Sequence, residues 1–222
     1  MKDYIEGFIK QLELAFEIGS AAKFDVGGKR IKNVLICGLG GSGIGGTVVT
    51  KAALVEASVP VITCNDYHIP NFVDENTLVI ANSYSGNTEE TLAAVKKAQA
   101  QKAQIACVTS GGELKAICEK NNYNHIVIPG GNPPRTCIAF SITEQLFILV
   151  KYGILPETIL TELKSTITLL KENDSEMRIE AKTVAKALVN KLPVIYSTDK
   201  FEPVSIRFRQ QLNENSKMLA WH

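Results

Sequence analysis

From residue 33 to residue 129 one unit keeps returning: a short run of consecutive apolar residues, a turn rich in glycine, serine or threonine, and a stretch of helix formers. The apolar runs are NVLIC, VPVITC (59–64), TLVIANS (77–83), QIACVTS (104–110) and NHIVIP (124–129), and GIGGTVVTKAALVEA, TEETLAAVKKAQAQ and ELKAICEK fill most of the gaps. A strand that is apolar at consecutive positions, rather than alternate ones, is buried on both faces. Helices between such strands require parallel pairing through right-handed crossovers. The pattern therefore predicts an α/β fold, a doubly wound five-stranded parallel sheet ending near Tyr152. Ahead of it, Ile5, Phe8, Ile9, Leu12 and Phe16 recur at three- and four-residue intervals, which predicts an amphipathic helix over 3–18.

Residues 153–191 change character. Two strings of helix formers, ETILTELKSTITLLKEN and SEMRIEAKTVAKALVNK, follow Pro156 with no strand between them. LPVIYST (192–198), FEPVSIRFRQQLNEN and KMLAW (217–221) then read as the strand, helix and strand that open a second, similar α/β domain. The expected organisation is a domain over 1–152, a helical connector over 153–191 and the beginning of a second domain over 192–222. Too few residues remain to close a second sheet, so the sequence is expected to be incomplete at its C-terminus.

Composition narrows the function. With 24 basic and 23 acidic residues, a net charge of +1 and no basic stripe, the chain offers no footprint for a nucleic-acid backbone. The N-terminal segment places Asp3, Glu6, Lys10, Glu13 and Glu17 among its apolar residues, which excludes a signal peptide and a membrane span and points to the cytoplasm. Five cysteines (Cys37, Cys64, Cys107, Cys118, Cys137) form no CxxC pair and mostly sit in apolar runs, so they read as reduced, buried thiols. His68, His125 and His222 have no ligand partners at helical spacing, and no metal is expected.

Two loops carry the chemistry. Cys37-Gly38-Leu39-Gly40-Gly41-Ser42-Gly43 satisfies GxGxxG at Gly38, Gly40 and Gly43, and Asp66 closes the second strand where a dinucleotide fold keeps its ribose acid. That reading of the first loop alone suggests NAD. An ATP-type P-loop is excluded, because the lysine it needs is absent. The second loop, Ser83-Tyr84-Ser85-Gly86-Asn87-Thr88, follows the third strand and opens a helix with Thr88 as the expected N-cap. Hydroxyls beside free helix N-terminal amides make a neutral cradle for a phosphate dianion. In a flavodoxin-like strand order, 2-1-3-4-5, the first and third strands are neighbours at the switch point, so Ser42 and Ser83–Thr88 face one cleft. A NAD-binding chain has no use for Ser83–Thr88.

The loop pair resembles the sugar isomerase (SIS) family of phosphosugar-binding domains, where SxSGxT after a parallel strand is the characteristic phosphate site. CGLGGSGIGG, SYSGNTEET, Pro133-Pro134-Arg135-Thr136 and QQLNENSK further resemble the bifunctional phosphoglucose/phosphomannose isomerase family within it, over nearly all of the 222 residues. The resemblance implies that Gly41, Ser42, Ser83, Ser85 and Thr88 hold the substrate phosphate, that Arg135 lies beside the reacting carbons and that Glu214 is the catalytic base. It implies interconversion of glucose 6-phosphate, and of mannose 6-phosphate, with fructose 6-phosphate, without a cofactor and in a homodimer. The family's ring-opening histidine lies in a motif just beyond the end of this sequence, and His222 is assigned no role. The other reading is a phosphosugar-sensing module without turnover, which leaves Glu214 and Arg135 unemployed.

Overall fold

The computed structural model describes residues 1–222. The chain divides into two units, Lys10–Leu160 and a second made of Met1–Ile9 with Thr161–His222. In the first, strands β1 (Asn33–Cys37), β2 (Val61–Cys64), β3 (Thr77–Asn82), β4 (Gln104–Thr109) and β5 (Asn124–Val127) form one parallel sheet in the order β2-β1-β3-β4-β5. This is the doubly wound order expected from the alternating pattern. Every residue of β3 is buried, as are most of β1 and β4, because these strands have sheet neighbours on both sides and helices above and below. The edge strands β2 and β5 are shorter and only partly covered.

The helices are α1 (Lys2–Glu6), α2 (Phe8–Ala21), α3 (Gly40–Ala53), α4 (Glu89–Ala100), α5 (Gly112–Asn121), α6 (Ile138–Lys151), α7 (Thr158–Ala187) and α8 (Glu202–Asn215). On one face of the sheet, Leu35, Cys37, Val79, Ala81, Ile105 and Cys107 pack with Leu92, Val95 and Ala98 of α4 and Leu114 and Cys118 of α5. On the other face α3 lies against β1 and β2, and α6 against α3 and β4. Phe16 and Gly19 of α2 meet Phe147 of α6, the two rings edge to face at 5.2 Å.

Four local outcomes differ from the sequence expectations. The helix expected over 3–18 is divided at Gly7, whose N–H turns back to the Asp3 carbonyl at 2.9 Å. The two helical strings after Pro156 are one continuous helix, α7, because no glycine or proline interrupts them. The strands expected in LPVIYST and KMLAW reduce to one parallel bridge, Val194 with Trp221, closed by Ile195 N–H to Trp221 O at 2.9 Å and Trp221 N–H to Pro193 O at 3.0 Å. Helix α6 was not expected at all. Its FILV run lacks a 3.6-residue rhythm because ten of its fourteen residues are buried, leaving almost no polar face.

Unit Met1–Ile9 with Thr161–His222 contains α1, most of α7 and α8. Arg178 joins Asp174 at 2.8 Å and Glu6 at 3.3 Å, tying α1 to α7. Met177, Ala181, Val184 and Leu188 of α7 face Phe208 and Leu212 of α8 around an apolar groove.

One buried group in α6 works against the fold. Glu144 is fully buried, neither carboxylate oxygen has a hydrogen-bond partner, and burial holds its carboxyl up at about 9, against an ordinary value of 4.5. The unfolded chain ionises this group at the lower pH and the folded chain keeps it protonated until the higher one. Its contribution to stability is therefore full below about pH 4.5 and is lost as pH rises toward about 9. Urea unfolding of wild type and Glu144→Gln across this window should show the difference shifting toward the variant by up to about 1.4 kcal/mol per pH unit. A difference independent of pH would show that Glu144 is ionised in the folded state.

Candidate functional site

The first loop owes its shape to residues without side chains. Gly41 and Gly45 lie one turn apart on α3 and press against two neighbours. A Cβ on Gly41 would stand 2.8 Å from the Pro134 carbonyl oxygen and 3.3 Å from Arg135 Cα, and a Cβ on Gly45 would collide with the Ser141 hydroxyl of α6. The 3-10 turn Pro134–Thr136 is held by Thr136, whose N–H and hydroxyl both donate to the Pro133 carbonyl, at 2.8 and 2.7 Å. Arg135 is thereby brought beside the loop that carries Ser42.

Ser42, in the first turn of α3, is 8% exposed. Its hydroxyl accepts the Tyr84 backbone N–H at 3.2 Å, so the two loops are joined directly. Its carbonyl accepts Asn82 Nδ2 at 3.0 Å and the Ser141 hydroxyl at 3.4 Å. Asn82 Nδ2 also meets Ser141 Oγ, and Gln145 Nε2 donates to that oxygen at 3.1 Å. A buried polar chain thus runs from α6 through the end of β3 to the first loop.

The second loop is wound around its own hydroxyls. Ser83, 1% exposed, shares a hydrogen with Thr88 at 2.8 Å and accepts the Gly86 N–H at 3.1 Å. Ser85 is exposed and accepts the Asn87 N–H at 3.2 Å. Gly86 has φ +70°, and a Cβ there would run into the Gly111 carbonyl oxygen, so only glycine fits. Thr88 is the N-cap residue of α4 by backbone position, as expected, but its hydroxyl faces Ser83 and does not cap the helix. The first amides of α4 consequently keep their N–H groups available, since the first intrahelical bond is Leu92 N–H to Thr88 O. Tyr84 spreads across the neighbourhood. Its carbonyl accepts Ser110 Oγ at 2.7 Å, and its phenol donates to Pro129 O at 3.1 Å and accepts Asn132 N–H at 2.9 Å.

Within unit Lys10–Leu160 the structure therefore gathers Gly41, Ser42, Ser83, Ser85, Thr88 and Arg135 at the C-terminal ends of β1 and β3 and on the turn beside them. Glu214 belongs to the other unit, in the last turn of α8, where it is exposed and its charge acts on the half-buried Arg207. Asp66, the candidate ribose acid, is exposed and turned to its own loop, accepting His68 N–H at 3.2 Å. Asn82, Ser141 and Gln145 escaped the sequence reading. A polar residue closing the otherwise apolar TLVIAN run was the signal for Asn82, whereas Ser141 and Gln145 had none, lying in a helix whose periodicity is hidden.

The sequence profile of the SIS domain matches residues 30–152, which hold both loops and the whole sheet. The chain belongs to the SIS domain family. A second profile, the bacterial phospho-glucose isomerase C-terminal SIS domain, matches residues 178–222. The chain is 39% identical over 220 residues to the bifunctional phosphoglucose/phosphomannose isomerase of Caldicellulosiruptor bescii, covering 96% of this chain and 65% of that protein. It is 33% identical over 201 residues to the D-glucosamine-6-phosphate 4-epimerase of Sulfolobus acidocaldarius, covering 88% of this chain and 61% of that protein. The chain thus spans somewhat less than two thirds of the length of either relative. Among solved structures, the C-terminal domain of the glucosamine-fructose-6-phosphate aminotransferase of Francisella tularensis superimposes with a TM-score of 0.75 at 18% identity, over 98% of this chain and 68% of that one, a likeness of SIS fold. No helix is long and apolar enough to cross a membrane.

The polar chain beneath the loops can be tested on its own. Asn82→Ala removes the donor to Ser42 O and Ser141 Oγ in a site closed to water, and should lower stability by about 1–3 kcal/mol in urea unfolding. A loss near zero would show that water replaces the amide there.

Proposed function

We propose that this chain carries the phosphate site and catalytic groups of an aldose–ketose isomerase that interconverts glucose 6-phosphate, and mannose 6-phosphate, with fructose 6-phosphate. The observation that carries the reading is the direct joining of the Ser42 loop to the Ser83–Thr88 loop at the end of adjacent strands β1 and β3. Between them stand hydroxyls and unengaged amides of α4, the donors that a phosphate dianion needs. The relatives named as phosphoglucose/phosphomannose isomerases support the choice of substrate. On the same reading the enzyme acts in the cytoplasm, in sugar catabolism and gluconeogenesis, as a homodimer that needs no cofactor.

The chemistry follows from what the reaction must do. With the phosphate anchored, Glu214 accepts the proton from C2 of the open aldose, and the C2–H electron pair forms the C1–C2 double bond of an enediolate. Negative charge moves onto the C1 oxygen, where the Arg135 guanidinium opposes it. Transfer of the O2 proton to O1 and return of the carbon proton to C1 give the ketose. Glucose and mannose 6-phosphates differ only at C2, which becomes planar in the enediolate, so one base and one cation serve both.

The 4-epimerase relative favours a second reading, in which the same phosphate site holds an amino sugar phosphate and the chemistry falls at C4. Assays of the natural polypeptide carrying this chain with glucose 6-phosphate, mannose 6-phosphate and glucosamine 6-phosphate separate the two. Formation of fructose 6-phosphate supports the isomerase. Turnover of glucosamine 6-phosphate alone supports the epimerase, and binding without turnover of any of them supports a sensing module.

Two variants address the roles. Glu214→Gln should lower turnover by about 10²–10⁴-fold, the range of general base catalysis, while leaving fructose 6-phosphate affinity within about tenfold. Near wild-type turnover would remove Glu214 from the mechanism. Ser85→Ala, at an exposed hydroxyl with one internal partner, should weaken fructose 6-phosphate binding by about tenfold or more in calorimetry, the effect of one hydrogen bond to a charged group. Unchanged affinity would place the phosphate elsewhere.

A further inference from the structure

Four of the five cysteines collect in one part of the sheet. Cys64 of β2, Cys37 of β1, Ala81 of β3 and Cys107 of β4 occupy one row of register partners, and Cys118 of α5 packs on the same face. Within the row Cys37 and Cys64 are direct partners, so their side chains leave the sheet on the same side with nothing between them. Neighbouring strands lie about 4.8 Å apart, inside the Cα separation of about 4.4–6.8 Å that a disulfide spans. Cβ atoms at strand spacing are slightly wider than the usual disulfide, about 3.5–4.5 Å, so the strand ends must draw together. Edge strand β2 can yield in this way.

The two thiols are unequal. Cys37 is buried, whereas Cys64 is partly exposed, and both line a narrow space shared with Gly38, Asn65, Asp66, Glu90 and Thr91. As a thiol Cys64 donates to the His68 carbonyl at 3.3 Å. A hydrogen bond from Cys37 is the main cause that lowers the Cys64 thiol to about 6, while the same contact, with burial, raises Cys37. A partly exposed cysteine with thiolate character next to a resolving thiol is the arrangement that oxidises reversibly. His68 and Asp66, with Glu90 of α4 in the lining of the same space, are the other titratable groups around Cys64.

We propose that Cys37 and Cys64 are a site of reversible oxidation by hydroperoxides, forming a disulfide across β1 and β2 that weakens the adjoining phosphate loop. The Cys64 thiolate attacks a peroxide oxygen; the S–O bond forms as the O–O bond breaks, and the departing alkoxide or hydroxide takes a proton. Cys64 is then a sulfenic acid, two electrons oxidised. The Cys37 sulfur attacks the Cys64 sulfur, the S–O bond breaks, and the hydroxide leaves as water with the Cys37 proton. Two thiols and one hydroperoxide become a disulfide, an alcohol or water, and a further water. Cys37 directly precedes Gly38, and Asn65, directly after Cys64, stands against Gly43, where a Cβ would lie 3.3 Å from its Oδ1. Drawing these strand ends together therefore displaces the loop that holds Ser42.

The effect on binding rests on the reading of this loop as a phosphate site; the disulfide does not. Reduced protein is treated with a small excess of hydrogen peroxide, blocked with N-ethylmaleimide, digested and mapped by mass spectrometry. The expected product joins the Cys37 peptide to the Cys64 peptide, with the loss of two hydrogen masses, and is reversed by dithiothreitol. Cys64→Ser should abolish it, and Cys37→Ala should leave a Cys64 sulfenic acid that dimedone traps. Both thiols fully alkylated after peroxide, or a Cys107–Cys118 link in their place, overturns the site. By calorimetry the linked protein should bind fructose 6-phosphate about tenfold more weakly than the reduced protein, the scale of a displacement below 1 Å in a positioning loop. Equal affinity overturns the coupling. A reduced protein that does not bind at all would overturn the phosphosugar reading, while the peptide map still decides the disulfide.

Discussion

The close approach of α3 to its surroundings is the constraint from which the rest of the site follows. Gly41 and Gly45 leave one side of the helix as bare backbone, and the space is taken by the Pro134–Thr136 turn and by Ser141 of α6. Each contact brings in a different component. The turn delivers Arg135 to the edge of the first loop, and Ser141 joins Asn82 in holding the Ser42 carbonyl. Glycine is a poor helix former in an interior position, costing roughly 1 kcal/mol against alanine. The glycine-rich opening of α3 is thus a local weakness kept for the packing it permits, and packing supplies the stability that propensity withholds.

The electrostatic character of the cradle comes from what is missing. The Ser42 and Ser83–Thr88 loops present hydroxyls and amides but no lysine or arginine, and α4 even carries Glu89 and Glu90 in its first turn. Glu89 is exposed and accepts the Tyr67 hydroxyl at 3.4 Å, so it is engaged away from the hydroxyl loop. On the proposed function, recognition of the phosphate depends on fixed dipoles, which need no counterion and keep their orientation whether or not the site is occupied. Burial of Ser42 and Ser83 among named partners is what fixes those dipoles.

The sheet was legible because its signal is strong. Runs such as VLIC and LVIA are apolar at every position, and only a strand covered on both faces requires that. The two loops were legible because glycine and serine clustered at a strand end do two things well: they turn the chain tightly and they present backbone and hydroxyl donors. Pattern and structure diverge where burial and periodicity part company. Helix α6 is so nearly surrounded that FILV resembles a strand, and Ser141, Gln145 and Glu144 inside it gave no sign that they are core residues. Pattern and structure diverge again at LPVIYST and KMLAW, where strand-like composition meets a single bridge. Composition says that a segment can pair, but only available neighbours decide how far the pairing runs. Thr88 shows the same lesson at one atom: the helix start was readable, while the hydroxyl's choice of Ser83 over the backbone depends on a loop fold that local sequence does not encode.

Tyr84 joins parts of the site that are otherwise separate in the chain. Its amide is held by Ser42, its carbonyl by Ser110, and its phenol by Asn132 and Pro129 on the segment that leads into the Pro133–Thr136 turn. One rigid aromatic residue is therefore a strut between the hydroxyl loop and the approach to the arginine. Motion at either end must be shared by the other, because the ring cannot bend and its partners on the far side are backbone groups. On the proposed function, grip on the phosphate and alignment of Arg135 are then no longer separate properties. A sugar without its phosphate, on that same function, loses speed as well as affinity, since filling the hydroxyl loop stiffens the turn that carries Arg135.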